Sequence, residues 1–355
     1  MSRPEALVLD EPKALAPLVE EWERLRASLG ATVFSSHLCT TEWLKSFSDR
    51  VKPSVLVVMG DEMEFIAPLA TRKAKMKGIP VRVLGLVGTV LDTSEYYHLS
   101  ILRKPGSADL TPLTRLMASE KWDVLQMRDL ACDGIEVPLQ EALASNWPTE
   151  VSKARPSPLI RLAEMGDPIE RFEPDTRKMI RRVTRALETD DRLEFRHLTT
   201  SDDVRTAMRQ YAEMHKARWA DKGGSIFGDP AQASFLESLS SKLAESGIAW
   251  TVEALIDGVI ASQQLCIEDG GRVLFYRTGM SDEFKSYSPG YLVMLQAMRI
   301  AAERGFRIFD MGPGADRYKY KLGGEDTFDC SIEARRGKVR IASRLMKIGR
   351  PASSV

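Results

Sequence analysis

The sequence predicts an α/β (α+β) chain made of two similar domains, and three observations predict it. Two helical patterns followed by a strand meander occur twice, at a period near half the 355 residues. A proline-rich joint, Arg155-Pro-Ser-Pro158, separates the two occurrences. In the second half the meander runs on into a strand–helix–strand crossover, Val273 to Met311. The expected organisation is a first domain over 1–156, a second over 157–335 and a basic tail over 336–355.

In chain order, amphipathic helices are expected near Pro17–Leu29 and Thr41–Phe47. Val55-Leu-Val-Val-Met59, a polar turn at Gly60-Asp-Glu and Phe65–Leu69 read as a hairpin. Strands follow at Val81–Leu86 and Trp122–Met127. In the second half, helices are expected near Val204–Trp219 and Gln232–Ser246. A hairpin then turns at Asp257-Gly258 between Trp250–Ile256 and Val259–Leu265. Ser288-Pro289-Gly290 has the composition of a helix start, with Ser288 as cap and Pro289 at the first helical position. Leu292, Leu295, Met298 and Ala302 recur at helical spacing, and Gly305 suits the helix end. Phe306–Met311 returns as a strand, and Gly312–Lys321 reads as a loop.

With 43% hydrophobic and 28% charged residues, the chain can bury a core and is not disordered throughout. Fifty basic residues balance fifty acidic ones, so any polyanion site must be a local patch, and DNA is not among the expected partners. Cys39, Cys132, Cys266 and Cys330 lie far apart with no CxxC pair, which argues against a disulfide framework or a zinc site. The N-terminus carries acids where a signal peptide needs an apolar core, and no apolar run reaches the ~20 residues of a spanning helix. A cytoplasmic protein without a metal is therefore expected. GxxxxGK[ST], GxSxG, HExxH and a strand-following GxGxxG are all missing.

The residues suited to chemistry fall in the second half. A helix opening at Ser288 off a strand end can receive a phosphate or carboxylate, although ordinary capping also explains Ser-Pro. Asp310 stands at a strand end, and Tyr318 and Lys319 follow in the next connection. A phenol there can protonate a leaving group and an ammonium can hold developing negative charge; a solvated loop is the plainer alternative. His215 can serve as a base near neutral pH or simply pack at a helix end, and Trp219 reads as packing. Arg177, Lys178, Arg181, Arg182 and Arg185 line one side of a helix, where they can grip an anionic donor or acceptor or form a solvated face. The tail Arg335–Arg350 mixes cations with Val339, Ile341, Leu345 and Ile348, which suits either an anionic membrane surface or a terminal helix.

The ordered set of the Arg181-Arg182 helix, His215-x-x-Arg218-Trp219, the Asp257-Gly258 hairpin, Phe275-Tyr276, Phe284-Lys285-x-x-Ser288-Pro289-Gly290, Phe309-Asp310-Met311-Gly312 and Tyr318-Lys319 resembles one GNAT branch. That branch is the CelD/BcsL-type acetyltransferases associated with bacterial polysaccharide and cellulose synthesis, related to the Fem peptidyltransferases. The resemblance is best from Ser157 to Gly323. It implies tandem GNAT-like domains, each a mixed, mostly antiparallel sheet flanked by helices, and acyl transfer to an amine or hydroxyl. The implied co-substrate is acetyl-CoA or another acyl-CoA, bound at Ser288, Gly290, Tyr291 and Lys285. Asp310 or His215 is the expected base, Tyr318 the acid and Lys319 the charge stabiliser, with Arg181, Arg182, Arg218 and Tyr276 toward the substrate. Lys285–Gly290 carries one glycine where the family's [QR]xxGx[GA] loop is richer, so an acyl carrier or aminoacyl-tRNA also stays open as donor. The expected partners are a small-molecule or glycan acceptor and the acyl donor, with a membrane or synthase contact through the tail. Two alternatives stand beside this: a Fem-like aminoacyl-tRNA-dependent peptidyltransferase, and a non-catalytic GNAT scaffold docking on a polysaccharide synthase.

Overall fold

The computed structural model describes residues 5–76, 78–93, 95–104, 110–132, 134–162, 166–221 and 223–337. The basic tail beyond Gly337 lies outside them. In order, the elements are β1 (Glu5–Leu9), α1 (Val19–Ser28), α2 (His37–Ser46), β2 (Val51–Met59), β3 (Met63–Met76), β4 (Ile79–Leu86), β5 (Leu102–Arg103), α3 (Thr111–Ser119), β6 (Val124–Leu130), α4 (Glu136–Ala144) and β7 (Thr149–Arg161). Then come α5 (Pro174–Thr189), β8 (Leu193–Leu198), α6 (Ser201–Trp219), α7 (Pro230–Glu245), β9 (Ala249–Ile256), β10 (Val259–Asp269), β11 (Arg272–Met280), α8 (Pro289–Glu303), β12 (Ile308–Asp310), α9 (Arg317–Lys321) and β13 (Glu325–Arg335). The chain divides into two compact units, Met1–Arg155 with Phe328–Val355, and Pro156–Thr327. Residues 328–335 of β13 thus cluster with the first unit.

In the first unit the strand order is β1-β2-β3-β4-β6-β13, with β5 on β3. Neighbours run antiparallel except β4 and β6, which pair in parallel from Val83–Val124 to Gly85–Gln126. Trp22 and Leu25 of α1 and Trp43 and Leu44 of α2 are buried, as their helical spacing requires.

The second unit repeats the scheme. Its order is β7-β12-β11-β10-β9-β8, again antiparallel apart from one parallel pair, β11 with β12. The β9–β10 hairpin turns at Asp257 (φ 56°) and Gly258 (φ 75°), the double left-handed conformation of a type I′ turn. α6 is capped by Thr200, whose hydroxyl accepts from Asp203 N, and α7 by Asp229, which accepts from Ala231 N. Leu292, Leu295, Met298 and Ala301 of α8 pack on Trp250, Val252, Phe275 and Phe309 of the sheet. Phe309 is fully buried, which stabilises by about 2 kcal/mol.

Two expectations need correction. Gly312–Lys321 is not all loop, since Arg317–Lys321 forms the short helix α9. The returning strand is shorter than Phe306–Met311 and spans Ile308–Asp310.

Candidate active site

The site follows from one register. β11 pairs with β12 only from Arg272–Ile308 to Leu274–Asp310, yet β11 continues to Met280. Beyond Leu274 the two strands have parted, leaving a wedge between β11 on one side and the Gly312 loop with α9 on the other. A cleft of about 280 Å³ occupies it. Thr278, Gly279 and Met280 of β11 line it, facing Tyr318 of α9. Ser288, Gly290, Tyr291 and Met294 contribute the start of α8, and Arg218 and Lys285 bring two cations.

The helix start is unusual. Ser288 lies at φ 53°, the left-handed region that non-glycine residues seldom occupy. Contrary to expectation, its side chain makes no capping hydrogen bond. A capping serine normally takes extended φ and ψ, which Ser288 does not have. Pro289 has no N–H, so the first-turn amide at Gly290 is left without a side-chain cap at the positive end of a 15-residue helix. Glycine at 290 also keeps the approach open: a Cβ there would meet only Met280 Sδ, at 3.5 Å.

Tyr318 is partly buried, and burial pushes its phenol well above the ordinary range, with Asp316 and Tyr291 adding to the effect. Burial raises Tyr291 as well. Both phenols keep their protons at neutral pH, so Tyr318 has the state of a proton donor.

The other expected residues lie elsewhere. Asp310 is fully buried and does not line the cleft. Its Oδ1 accepts from Gly312 N at 2.8 Å, and its Oδ2 stands 3.9 Å from Arg272 Nη1. Lys319 is 2% exposed, and its Nζ donates to Gly312 O at 2.8 Å and Pro313 O at 3.0 Å. These two groups shape the Gly312–Gly314 turn, and the ammonium is committed to it. Tyr276 is buried with the Arg277 guanidinium 4.1 Å over its ring. Arg181 and Arg182 stand on α5 beside an open groove of about 870 Å³, with Lys178 and Arg185; Arg181 and Arg177 both pair with Glu170.

His215 stands one helical turn before Arg218. Its Nδ1 is 2.7 Å from Ser225 Oγ, and its ring stacks on Trp219 at 5.7 Å and meets Phe227 edge-on at 5.2 Å. Burial lowers its pKa, helped by Arg277 and Arg218, so it is neutral at pH 7. Trp219 is 40% exposed, so it does not simply pack. Tyr211, the preceding member of this column, lies against Gly279, where a Cβ would come within 2.7 Å of its ring. Thr278, Gly279 and Met280 were missed by sequence reasoning, although a strand end leading into a helix start was a signal for them. Among the described residues, no group of three His, Cys, Asp or Glu side chains is placed to hold a metal ion, and no helix is long and apolar enough to cross a membrane.

Residues 174–320, within the second unit, match the model of the acetyltransferase (GNAT) domain. Over the full chain the fold is that of tandem GNAT proteins. It is similar to FemX (TM-score 0.62, 13% identity, covering 97% of this chain and 100% of that one). It is also similar to a tandem GNAT protein from the clavulanic acid biosynthesis pathway (TM-score 0.53, 13% identity, 95% and 100%). L-PGS from Bacillus licheniformis shares the fold as well (TM-score 0.52, 13% identity, 93% and 94%). No curated protein matches the chain by sequence.

Proposed function

We propose that the chain is an acyltransferase that takes an acyl group from acetyl-CoA or another acyl-CoA and passes it to an amine or hydroxyl. The observation that carries this reading is the wedge in which the uncapped start of α8, Lys285, Arg218 and the protonated Tyr318 converge. The α8 amides and the two cations suit the donor's phosphates. Tyr318 gives its proton to the departing thiolate, and His215, neutral at pH 7, takes the proton from the attacking group. Asp310 and Lys319 act by holding the Gly312–Gly314 turn under Tyr318, not by touching substrate. The motifs shared with CelD/BcsL-type acetyltransferases support an acceptor on a polysaccharide or cell-envelope precursor.

A second reading, aminoacyl transfer from a charged tRNA, is favoured by the cation row of α5 and by the likeness to FemX. Calorimetric titration with acetyl-CoA, a longer acyl-CoA and charged tRNA separates the two. Saturable acyl-CoA binding, with release of free CoA when an amine acceptor is added, is the expected result. Binding of charged tRNA alone would replace the first reading with the second, and binding of neither would remove both.

A further inference from the structure

We infer that Ser225 is a positioning residue for acyl transfer: it holds the His215 imidazole so that Nε2 is the nitrogen that receives the acceptor's proton. The inference rests on the acyltransferase reading of the wedge. Its basis is geometric. Among the described residues the ring's hydrogen bond is Nδ1 to Ser225 Oγ, 2.7 Å. Ser225 Oγ is itself fixed, because it accepts from Phe227 N at 3.0 Å as the cap of the turn Ile226–Gly228. Trp219 stacks on the ring at an interplanar angle of 16°, and Phe227 stands at 88° to it. The imidazole can therefore neither flip nor tilt without breaking the bond and both ring contacts.

The chemistry follows from the occupied nitrogen. A histidine with Nδ1–H donated to a hydroxyl presents a lone pair at Nε2. When Nε2 takes a proton, the imidazolium keeps its Nδ1–H on Ser225 Oγ, and no rearrangement is needed. The proton comes from the amine or hydroxyl as its lone pair forms the new bond to the acyl carbon, and the thiolate leaves with the proton of Tyr318. Arg277 of β11 and Arg218 of α6 are the cations facing the ring, and Asp282 lies 3.6 Å from Arg218. The elements packed on α6 also carry Glu237, paired with Arg209, and Glu253, bonded to Gln263. Burial, and after it the two cations, disfavour the imidazolium, and an acceptor at Ser225 Oγ opposes them.

The test is the pH dependence of kcat for the full chain with acetyl-CoA and an amine acceptor. Activity needs neutral His215, so the acid limb follows its pKa. Ser225→Ala removes an acceptor from the protonated form, which moves the limb to lower pH and reduces kcat about tenfold. Ser225→Asp keeps a cap for Phe227 N and adds a carboxylate, which moves the limb to higher pH. Ser225→Thr keeps both bonds and retains the wild-type profile. Melting temperatures show which variants remain folded, and Ser225→Asp and Ser225→Thr cover the case in which Ser225→Ala does not. Opposite shifts in Ala and Asp support the inference. Acid limbs of folded Ser225→Ala and Ser225→Asp that both coincide with wild type overturn it. Wild type that turns over no acyl donor is a different failure, since it removes the acyltransferase reading before any Ser225 variant is compared.

Discussion

In the first unit β4 and β6 pair in parallel from Val83–Val124 to Gly85–Gln126; in the second, β11 and β12 do so from Arg272–Ile308 to Leu274–Asp310. The two units differ in how the chain runs on beyond the pair. In the first unit it returns into the gap: Leu99 bridges Leu130, its N–H donates to Asp129 O at 2.9 Å, and its carbonyl accepts from Ala131 N at 2.7 Å. Tyr96, Tyr97 and Leu99 are buried there, and Gly88 is pressed so closely on Tyr96 that a Cβ would lie 2.1 Å from its ring. In the second unit no described segment enters in this way, and the gap is the cleft at Tyr318. The connection decides the outcome. Residues 87–110 separate β4 from α3, enough chain to fold back, whereas residues 281–288 take β11 directly into α8. The same topology thus gives a plug in one unit and a pocket in the other.

The most severe way to break this contrast acts on the plug. Asp329 accepts from His98 N at 2.8 Å and meets its Nδ1 at 2.6 Å, and both side chains are buried. His98 itself sits at φ 50°, so these bonds hold a strained residue. Asp329→Ala leaves a buried amide and imidazole without that acceptor and is expected to cost about 3 kcal/mol. Denaturant unfolding reads the loss, while acyl-CoA affinity of the protein that remains folded should match wild type. A large change in affinity with little loss of stability would mean the plugged unit is a second donor site.

Acting on the pocket should do the reverse. Tyr318→Phe removes one hydroxyl from a side chain that packs against the unit-two core. It is expected to lower kcat about a hundredfold with acyl-CoA affinity kept. The melting temperature should stay near wild type. Unchanged kcat would place the proton donor elsewhere.

Much of this was legible in the sequence. The repeated helix–helix–meander pattern carried the fold, because buried faces impose periods of 3.6 and 2 on any sequence that adopts it. Ser288, Gly290, Tyr291 and Tyr318 stood out because they lie next to each other or at an element boundary. Burial was not legible. Asp310 and Lys319 read as working groups at a strand end, and only the folded chain reveals their buried contacts with the Gly312 amide and with the Gly312 and Pro313 carbonyls. Nor did spacing alone separate Trp219 as a packed residue from Trp219 as an exposed ring on His215. Those outcomes depend on contacts between residues far apart in the chain.

The smallest effect sharpens the donor's identity. Arg182 and Arg185 are exposed on α5 and border its open groove. Replacing both by Gln should change stability by no more than about 0.5 kcal/mol, as surface charges generally do. If acyl-CoA binds only in the wedge, its affinity should also stay put, since neither residue lines the cleft. A charged-tRNA donor lying along α5 would respond differently. Each lost phosphate contact lowers the slope of log affinity against log salt by about one, so the double variant would lose about two. An unaltered slope with intact tRNA binding would take α5 out of donor recognition and leave its cations as a solvated face. An altered slope would make the second unit's outer helix, and not only its wedge, the feature that the first unit lacks.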